Sequence, residues 1–347
     1  MKTLRLFSSG NSSIPGGTSW YLADLAEFRG KQELYTRQSP QRLRTLREHA
    51  LIESAVSSNR MEGVAVDQSR VRDVLVSAKP LFRDRDEEEV RGYREALTLI
   101  HGNASDLPVT EETVCKLHSL ARGQIWDAGR YKDKDGDIIE RYTNGRQRVR
   151  FRPVPAAETA AFMADLVSDW QRCLEERWVH PLIASAAFNL DYLSIHPFRD
   201  GNGRVSRLLF LLQSYHLGYE VGRYVSLERL IEHNKERYYE TLEESSQDWY
   251  EGRHNPWPYI NFILFILKTA YREFVERVGD IQAPRGSKTE MVLSALHRLP
   301  KEFTLAQLEQ DCPGVSRELV RRVLNQQKGK GVECIGRGPG AKWTKKG

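Results

Sequence analysis

The sequence predicts a mainly all-α protein, and three observations carry that prediction. Apolar residues recur at helical spacing over most of the 347 residues, strand-like alternation is confined to one central stretch, and a break containing Pro and Gly sets off a short basic tail. With 40% hydrophobic and 29% charged residues, the chain has the length of more than one domain and enough apolar surface for a sizeable core. Its longest apolar run, around residues 259–267, is too short and interrupted to span a bilayer. The opening "MKTLRLFSSGNSS" has no continuous hydrophobic segment and no small-residue cleavage site, so a cytoplasmic chain with no membrane partner is expected.

Helical periodicity predicts helices over 43–61, 71–82, 88–100, 111–121, 156–173, 181–195, 204–216 and 260–278. Between the fourth and fifth, "DIIERYT" and "RQRVRFR" alternate as two short strands around the turn dipeptide Asn144-Gly145, which predicts a β-hairpin. "DKDGD" invites a calcium-loop reading, but its aspartates fall out of register and strands rather than helices flank it. The break at 278–288 is the expected boundary of a C-terminal unit. Beyond it come a helix at 289–299, a short helix opened by a Thr304/Gln307 capping box, a third helix from about Ser316, and the Gly-rich hairpin "VECIGRGPGAKWT". Three helices and a terminal hairpin give the layout of a winged helix-turn-helix.

The four cysteines lack CxxC spacing and the nine histidines form no HExxH or HxxxH pair, so neither a disulfide framework nor a protein-ligated transition metal is indicated. Charge is informative once divided. Residues 281–347 hold thirteen Lys and Arg against six Asp and Glu, a net of +7, while residues 1–280 carry −2. An anionic partner of the tail is one reading, and a solvated basic face is the other.

The chemistry concentrates in "IHPFRDGNGR", Ile195 to Arg204, lying between two apolar runs. Gly201-Asn202-Gly203 feeds a helix N-terminus, whose free backbone N–H groups and positive dipole end favour an anion, phosphate above all. Arg204 and Arg207 fall in the first turn of that helix, where a cation opposes the dipole by about 0.3–1 kcal/mol unless an anion sits between them. His196 has a near-neutral reference pKa suited to taking a proton. Asp200 is a hard oxygen ligand able to hold Mg²⁺ against phosphate oxygens. Asn202 can donate to phosphate, and Phe198 is expected to pack inward.

This set resembles the signature of the Fic family (filamentation induced by cAMP), HxFx[D/E]GNGRxxR, matched by His196, Phe198, Asp200, Gly201, Asn202, Gly203, Arg204 and Arg207. Asn189 and Ser206 depart from residues common in the family, both outside the defining pattern. The resemblance, which covers roughly residues 15–275, implies a Fic-type helical bundle at 106–280 with the hairpin as a flap that aligns a target segment. An N-terminal region, 1–105, would carry an inhibitory helix, and a winged helix would occupy 285–347. It implies transfer of AMP from ATP to a Tyr, Ser or Thr hydroxyl of a target protein. In that scheme His196 is the base, Asp200 holds Mg²⁺, and Gly201, Asn202, Gly203, Arg204 and Arg207 bind the phosphates. Asn234, Tyr238 and Tyr239 resemble the family's adenine-side wall.

A second clue lies far upstream. In "SSNRMEG", Gly63 suits a helix C′ position and places Glu62 at a helix C-terminus, where the dipole disfavours it and a cation is wanted. The stretch resembles the family's inhibitory motif, [S/T]xxxE[G/N], through Ser58, Glu62 and Gly63, which implies that Glu62 pairs with Arg207 and restrains transfer. In the tail, Leu319, Val320, Val323 and Leu324 form a buried stripe that leaves Arg317, Arg321 and Arg322 outward, and the wing adds Arg337. Double-stranded DNA is the partner these residues suit, and a dimer or protein-partner surface is the other reading. Three rival readings stand beside AMP transfer: a DNA-binding regulator whose core only senses nucleotide, a transferase using another donor, and an enzyme removing AMP. A homodimer is left open.

Overall fold

The computed structural model describes residues 1–10, 13–36, 40–77, 81–123, 125–141, 147–279, 287–336 and 341–345. Its first part runs through α1 (Lys2–Arg5), α2 (Gly16–Thr36), α3 (Pro40–Met61), α4 (Val71–Val76), α5 (Arg85–Asn103) and α6 (Glu111–Arg122). A hairpin of β1 (Ile138–Arg141) and β2 (Gln147–Phe151) follows, antiparallel, with Ile139 opposite Val149. The chain continues through α7 (Ala156–Glu175), α8 (Pro181–Ile195), α9 (Asn202–His216), α10 (Leu227–His233), α11 (Lys235–Ser246) and α12 (Trp257–Gly279). The tail holds α13 (Ser287–Arg298), β3 (Glu302–Thr304), α14 (Leu305–Gln310), α15 (Arg317–Gln327), β4 (Val332–Ile335) and β5 (Lys342–Lys345).

The expected mainly α architecture with a short central hairpin is what is found. The turn dipeptide Asn144-Gly145 lies outside the described residues. The helix expected over 71–82 stops at Val76, where Ser77 turns to extended backbone at ψ 141°; residues 78–80 of that span lie outside the described residues. Four helices, α1, α2, α10 and α11, lie outside the spans that periodicity predicts. In α2, Phe28 stacks on Tyr271 of α12 with ring centroids 5.4 Å apart, so packing rather than pattern holds that helix. α11 lines one wall of the site through Tyr238, Tyr239, Leu242, Glu243 and Ser246.

α8 is buried at every position from Leu182 to Ile195, and it packs against α7, α9, α12 and α1 at the centre of one continuous core drawing on residues 1–278. A second core, from Met291 to Trp343, belongs to the tail alone. There the three strands form an antiparallel sheet ordered β3-β5-β4, and Thr304 and Gln307 make the expected capping box. The tail leans on the larger core through Arg298, which reaches Glu53 of α3 at 3.2 Å and Glu273 of α12 at 3.2 Å beside Arg229 and Arg277. Among the described residues no helix is long and apolar enough to cross a membrane.

Candidate active site

α8 delivers His196 to the site as its C-cap. The residue adopts the left-handed conformation, φ 51° and ψ 62°, and its backbone N–H donates to Tyr192 O at 2.9 Å. The next loop is stapled by Asn202, whose Oδ1 accepts from Phe198 N at 2.9 Å while its Nδ2 donates to Phe198 O at 2.7 Å. Phe198 turns inward as expected and stacks flat on His118 of α6, with centroids 3.7 Å apart. His118 Nδ1 accepts from Gly129 N at 2.8 Å, which leaves Nε2 to donate to Asp200 O at 3.0 Å. Gly201 caps α9 at φ 80°, and a methyl group there would lie 3.0 Å from Arg122 Cδ.

The Asn202 amide, expected as a phosphate donor, is buried here and engaged by the Phe198 backbone. Asn202→Ala is expected to lower stability by about 1–3 kcal/mol, since two buried backbone groups of Phe198 lose their partner. A urea unfolding curve measures this, and an unchanged midpoint with weakened nucleotide binding would restore the phosphate role.

The two arginines of the signature face different ways. Arg207 is almost wholly buried; its Nε donates to Ser58 Oγ at 2.8 Å, and its Nη2 donates to Ser58 O at 2.9 Å and Glu62 Oε1 at 2.7 Å. Burial works against this guanidinium, but its surroundings, Glu62 foremost, together prevail and hold the pKa above the ordinary arginine range. Glu62 closes α3 with Gly63 at φ 82°, where Gly63 N donates to Arg60 O and Val64 N to Asn59 O, the two bonds of a Schellman turn. Its carboxylate rests against the N-terminus of α9 so closely that a methyl group on Gly203 would come within 2.2 Å of Oε1. The cost of a carboxylate at the end of α3 is offset by Arg207 and by the positive end of α9.

Arg204, expected on the phosphates, instead lies in the interior, with Nη1 on Asn59 Oδ1 at 3.0 Å and on Glu89. Glu89 also accepts from Arg122 at 2.8 Å, and Arg122 in turn donates to Asp200 Oδ2 at 2.7 Å. A relay of four alternating charges, Arg204, Glu89, Arg122 and Asp200, thus ties α9 to α5, α6 and the loop. Burial disfavours the Asp200 carboxylate, but Arg122 and Arg204 prevail and keep its pKa below the usual range. Its side chain remains 57% exposed. Two oxygens engaged by Arg122 and Gly201 N still have lone pairs to offer, so Asp200 fits a Mg²⁺ that takes its other ligands from phosphate and water. No group of three or more metal-ligating side chains is present among the described residues.

A cleft of about 430 Å³ opens where these elements meet, lined among others by His196, Glu62, Gly203, Arg207, Tyr238 and Tyr239. Ile138, Ile139 and Phe151 of the hairpin line it as well, and Arg148 and Arg150 bind the hairpin to Glu243 of α11. Tyr239 carries Arg150 at 5.0 Å over its ring, whereas Tyr238 is also packed into the core against Tyr259 and Phe262. Asn234 stands apart, donating to Leu230 O between α10 and α11 at 2.8 Å. Burial, then the Lys132 charge, pushes His196 down to about 4, so the imidazole is neutral at physiological pH. Glu89, Arg122, His118 and Lys132 act on the site yet carry no sequence signal, because each is an ordinary residue until the fold brings it to the loop.

In the tail, Val320, Val323 and Leu324 are buried and Leu319 half-buried, leaving Arg321 and Arg322 exposed on the outer side of α15. Arg317 is exposed too and pairs with Glu309 at 3.2 Å; Arg337 lies outside the described residues.

Comparison with known proteins adds to this geometry. The model of the Fic/DOC family matches residues 108–214. A protein adenylyltransferase Fic of Nematostella vectensis is 28% identical over 161 residues, a match covering 44% of this chain and 34% of that protein, so only about a third of the relative's length is represented. Among solved structures, a Fic family protein from Desulfovibrio desulfuricans is similar over 97% of this chain and 98% of its own, at 24% identity and a TM-score of 0.61. A Fic domain containing signaling protein from Bacteroides thetaiotaomicron is similar over 76% of this chain and 100% of its own, at 20% identity and a TM-score of 0.59. Fic-1 from C. elegans covers 75% and 73%, at 18% identity and a TM-score of 0.57. At these identities the structural likenesses speak to the fold.

Proposed function

Because the chain carries a Fic/DOC family domain over residues 108–214, we propose that it transfers AMP from ATP to a hydroxyl side chain of a target protein, and that Glu62 restrains the reaction. The observation that carries this reading is the Glu62 carboxylate seated on Arg207 and Gly203 in the cleft that His196 lines. An anion already occupies the place where the sequence called for one.

In this mechanism His196 Nδ1, 3.4 Å from Leu193 O, carries the ring proton, leaving Nε2 to accept. The target hydroxyl gives its proton to Nε2 as its oxygen bonds to the α-phosphorus, and the bond to the departing pyrophosphate breaks. The free N–H groups at the start of α9 and the Arg207 guanidinium bind phosphate oxygens once Glu62 moves aside. Asp200 would hold Mg²⁺, which when bound supplies charge neutralisation to the phosphates. Tyr239 and the hairpin would flank nucleotide and target, the hairpin aligning a target segment by strand addition. Incubation with isotopically labelled nucleotides and mass spectrometry tests the proposal: an added AMP from ATP is expected, and modification only from another nucleotide would change the donor.

A second role is favoured by the tail, where Arg321 and Arg322 stand exposed on the helix that follows α14, beside the antiparallel sheet expected of a winged helix. The expected partner is duplex DNA. Binding measured by fluorescence anisotropy should weaken steeply between 50 and 200 mM salt, and replacing both arginines by alanine should reduce the salt slope by about 2. No binding at low salt would leave the tail as a protein-contact module.

A further inference from the structure

Lys132 belongs to no motif, yet its ammonium bonds directly to the turn that presents His196. It lies between α6 and β1, is only 7% exposed, and reaches beneath the end of α8. Its Nζ donates to Ile195 O at 3.0 Å and to His196 O at 2.9 Å, and its backbone N–H donates to Pro197 O at 2.8 Å. One residue thus holds three successive carbonyls around a non-glycine residue in the left-handed conformation, which costs free energy and persists only when its surroundings fix it. The last carbonyls of a helix are also where its dipole is negative, so the ammonium is well placed there.

We propose that Lys132 is the positioning residue of His196: its ammonium and its backbone N–H lock the turn that aims the imidazole into the cleft, and they set a buried positive charge beside that turn. This rests on the reading of His196 as the base. Lys132 itself is pushed by burial down to about 8 and so remains charged at neutral pH. The other charges that bear on His196 are Glu62 at the end of α3 and Asp200 in its own loop, both favouring the protonated ring. Asp137 on the hairpin side, Arg150 of β2, Arg207 of α9 and Glu243 of α11 share the cleft wall. Lys132 is the charge, after burial, that opposes protonation of the ring.

The test uses full-length Glu62→Gly protein carrying Lys132→Arg, Lys132→Gln or Lys132→Met. Glutamine keeps a hydrogen-bond donor without the charge, methionine keeps neither, and arginine keeps both, so a methionine variant that fails to fold leaves the other two decisive. The first readout is the NMR titration of the His196 ring without nucleotide, assigned by loss of its signal in His196→Ala. Glutamine and methionine are expected to raise its midpoint by about 1 pH unit, while arginine returns it to the parent value. The second readout is automodification with ATP across pH, where the acidic limb should move up with the titration and the methionine rate should fall roughly tenfold below that of glutamine, a cost of the magnitude expected when a reacting group is slightly misplaced. Parent-like titration in both glutamine and methionine variants overturns the proposal. A shifted titration with no AMP transfer in any variant, parent included, upholds the role of Lys132 and overturns the functional reading instead.

Discussion

Glu62→Gly is expected to raise AMP transfer, read as self-modification with α-labelled ATP, by roughly ten- to a hundredfold. The Glu62–Arg207 contact is a charge-assisted hydrogen bond of 2.7 Å to an arginine that is almost fully buried. Such bonds contribute on the order of 1.5–3 kcal/mol, and each 1.4 kcal/mol is a factor of ten in the occupancy of the closed state. Because the carboxylate crowds Gly203 and engages Arg207 together, nucleotide phosphates and Glu62 compete for one set of donors. Removing the side chain should leave α3 intact, since Gly63 and Val64 close that helix through backbone bonds alone. Labelling equal to the parent protein would show that Glu62 does not restrain the reaction.

His196→Ala is expected to lower transfer in the Glu62→Gly background by about 10²- to 10⁴-fold, the range for loss of a positioned general base. The left-handed backbone complicates alanine, which is strained there, so His196→Asn serves as the companion: asparagine tolerates that conformation but cannot take the proton. Equal losses in both variants assign the effect to the imidazole. The pH dependence follows from the burial of the ring. With His196 pushed down to about 4, the base form persists well below the ordinary imidazole value of about 6.5, so the acidic limb of the rate profile should lie below pH 6. A limb centred at 6.5 or above, or transfer retained in both variants, would remove His196 from this role.

Much of the site was legible because it is local. The decapeptide from Ile195 to Arg204 contains a helix end, a glycine turn and a helix start in unbroken succession, so its backbone follows from residue type alone. The C′ glycine after Glu62 was legible for the same reason, as was the capping box at Thr304. The partners of Arg204 and Asn202 were not legible, because their chemistry fits phosphate as well as it fits Glu89 and the Phe198 backbone. Nothing in "GNGR" tells a guanidinium aimed at a ligand from one aimed at Glu89, which lies 115 residues earlier.

What the sequence determined by itself, then, is the set of elements and the chemistry they carry: a mainly helical chain, a histidine and an acid framing a glycine turn, and a stray glutamate in want of a cation. Only the tertiary structure decided which charges meet. It sent Arg204 inward to Glu89 and Arg207 to Glu62, tied Asp200 to Arg122, and slid Lys132 beneath the turn at His196. The reason is physical: backbone conformation answers to neighbours a few residues away, whereas a buried charge is settled by whichever opposite charge the packing of distant helices brings within about 3 Å.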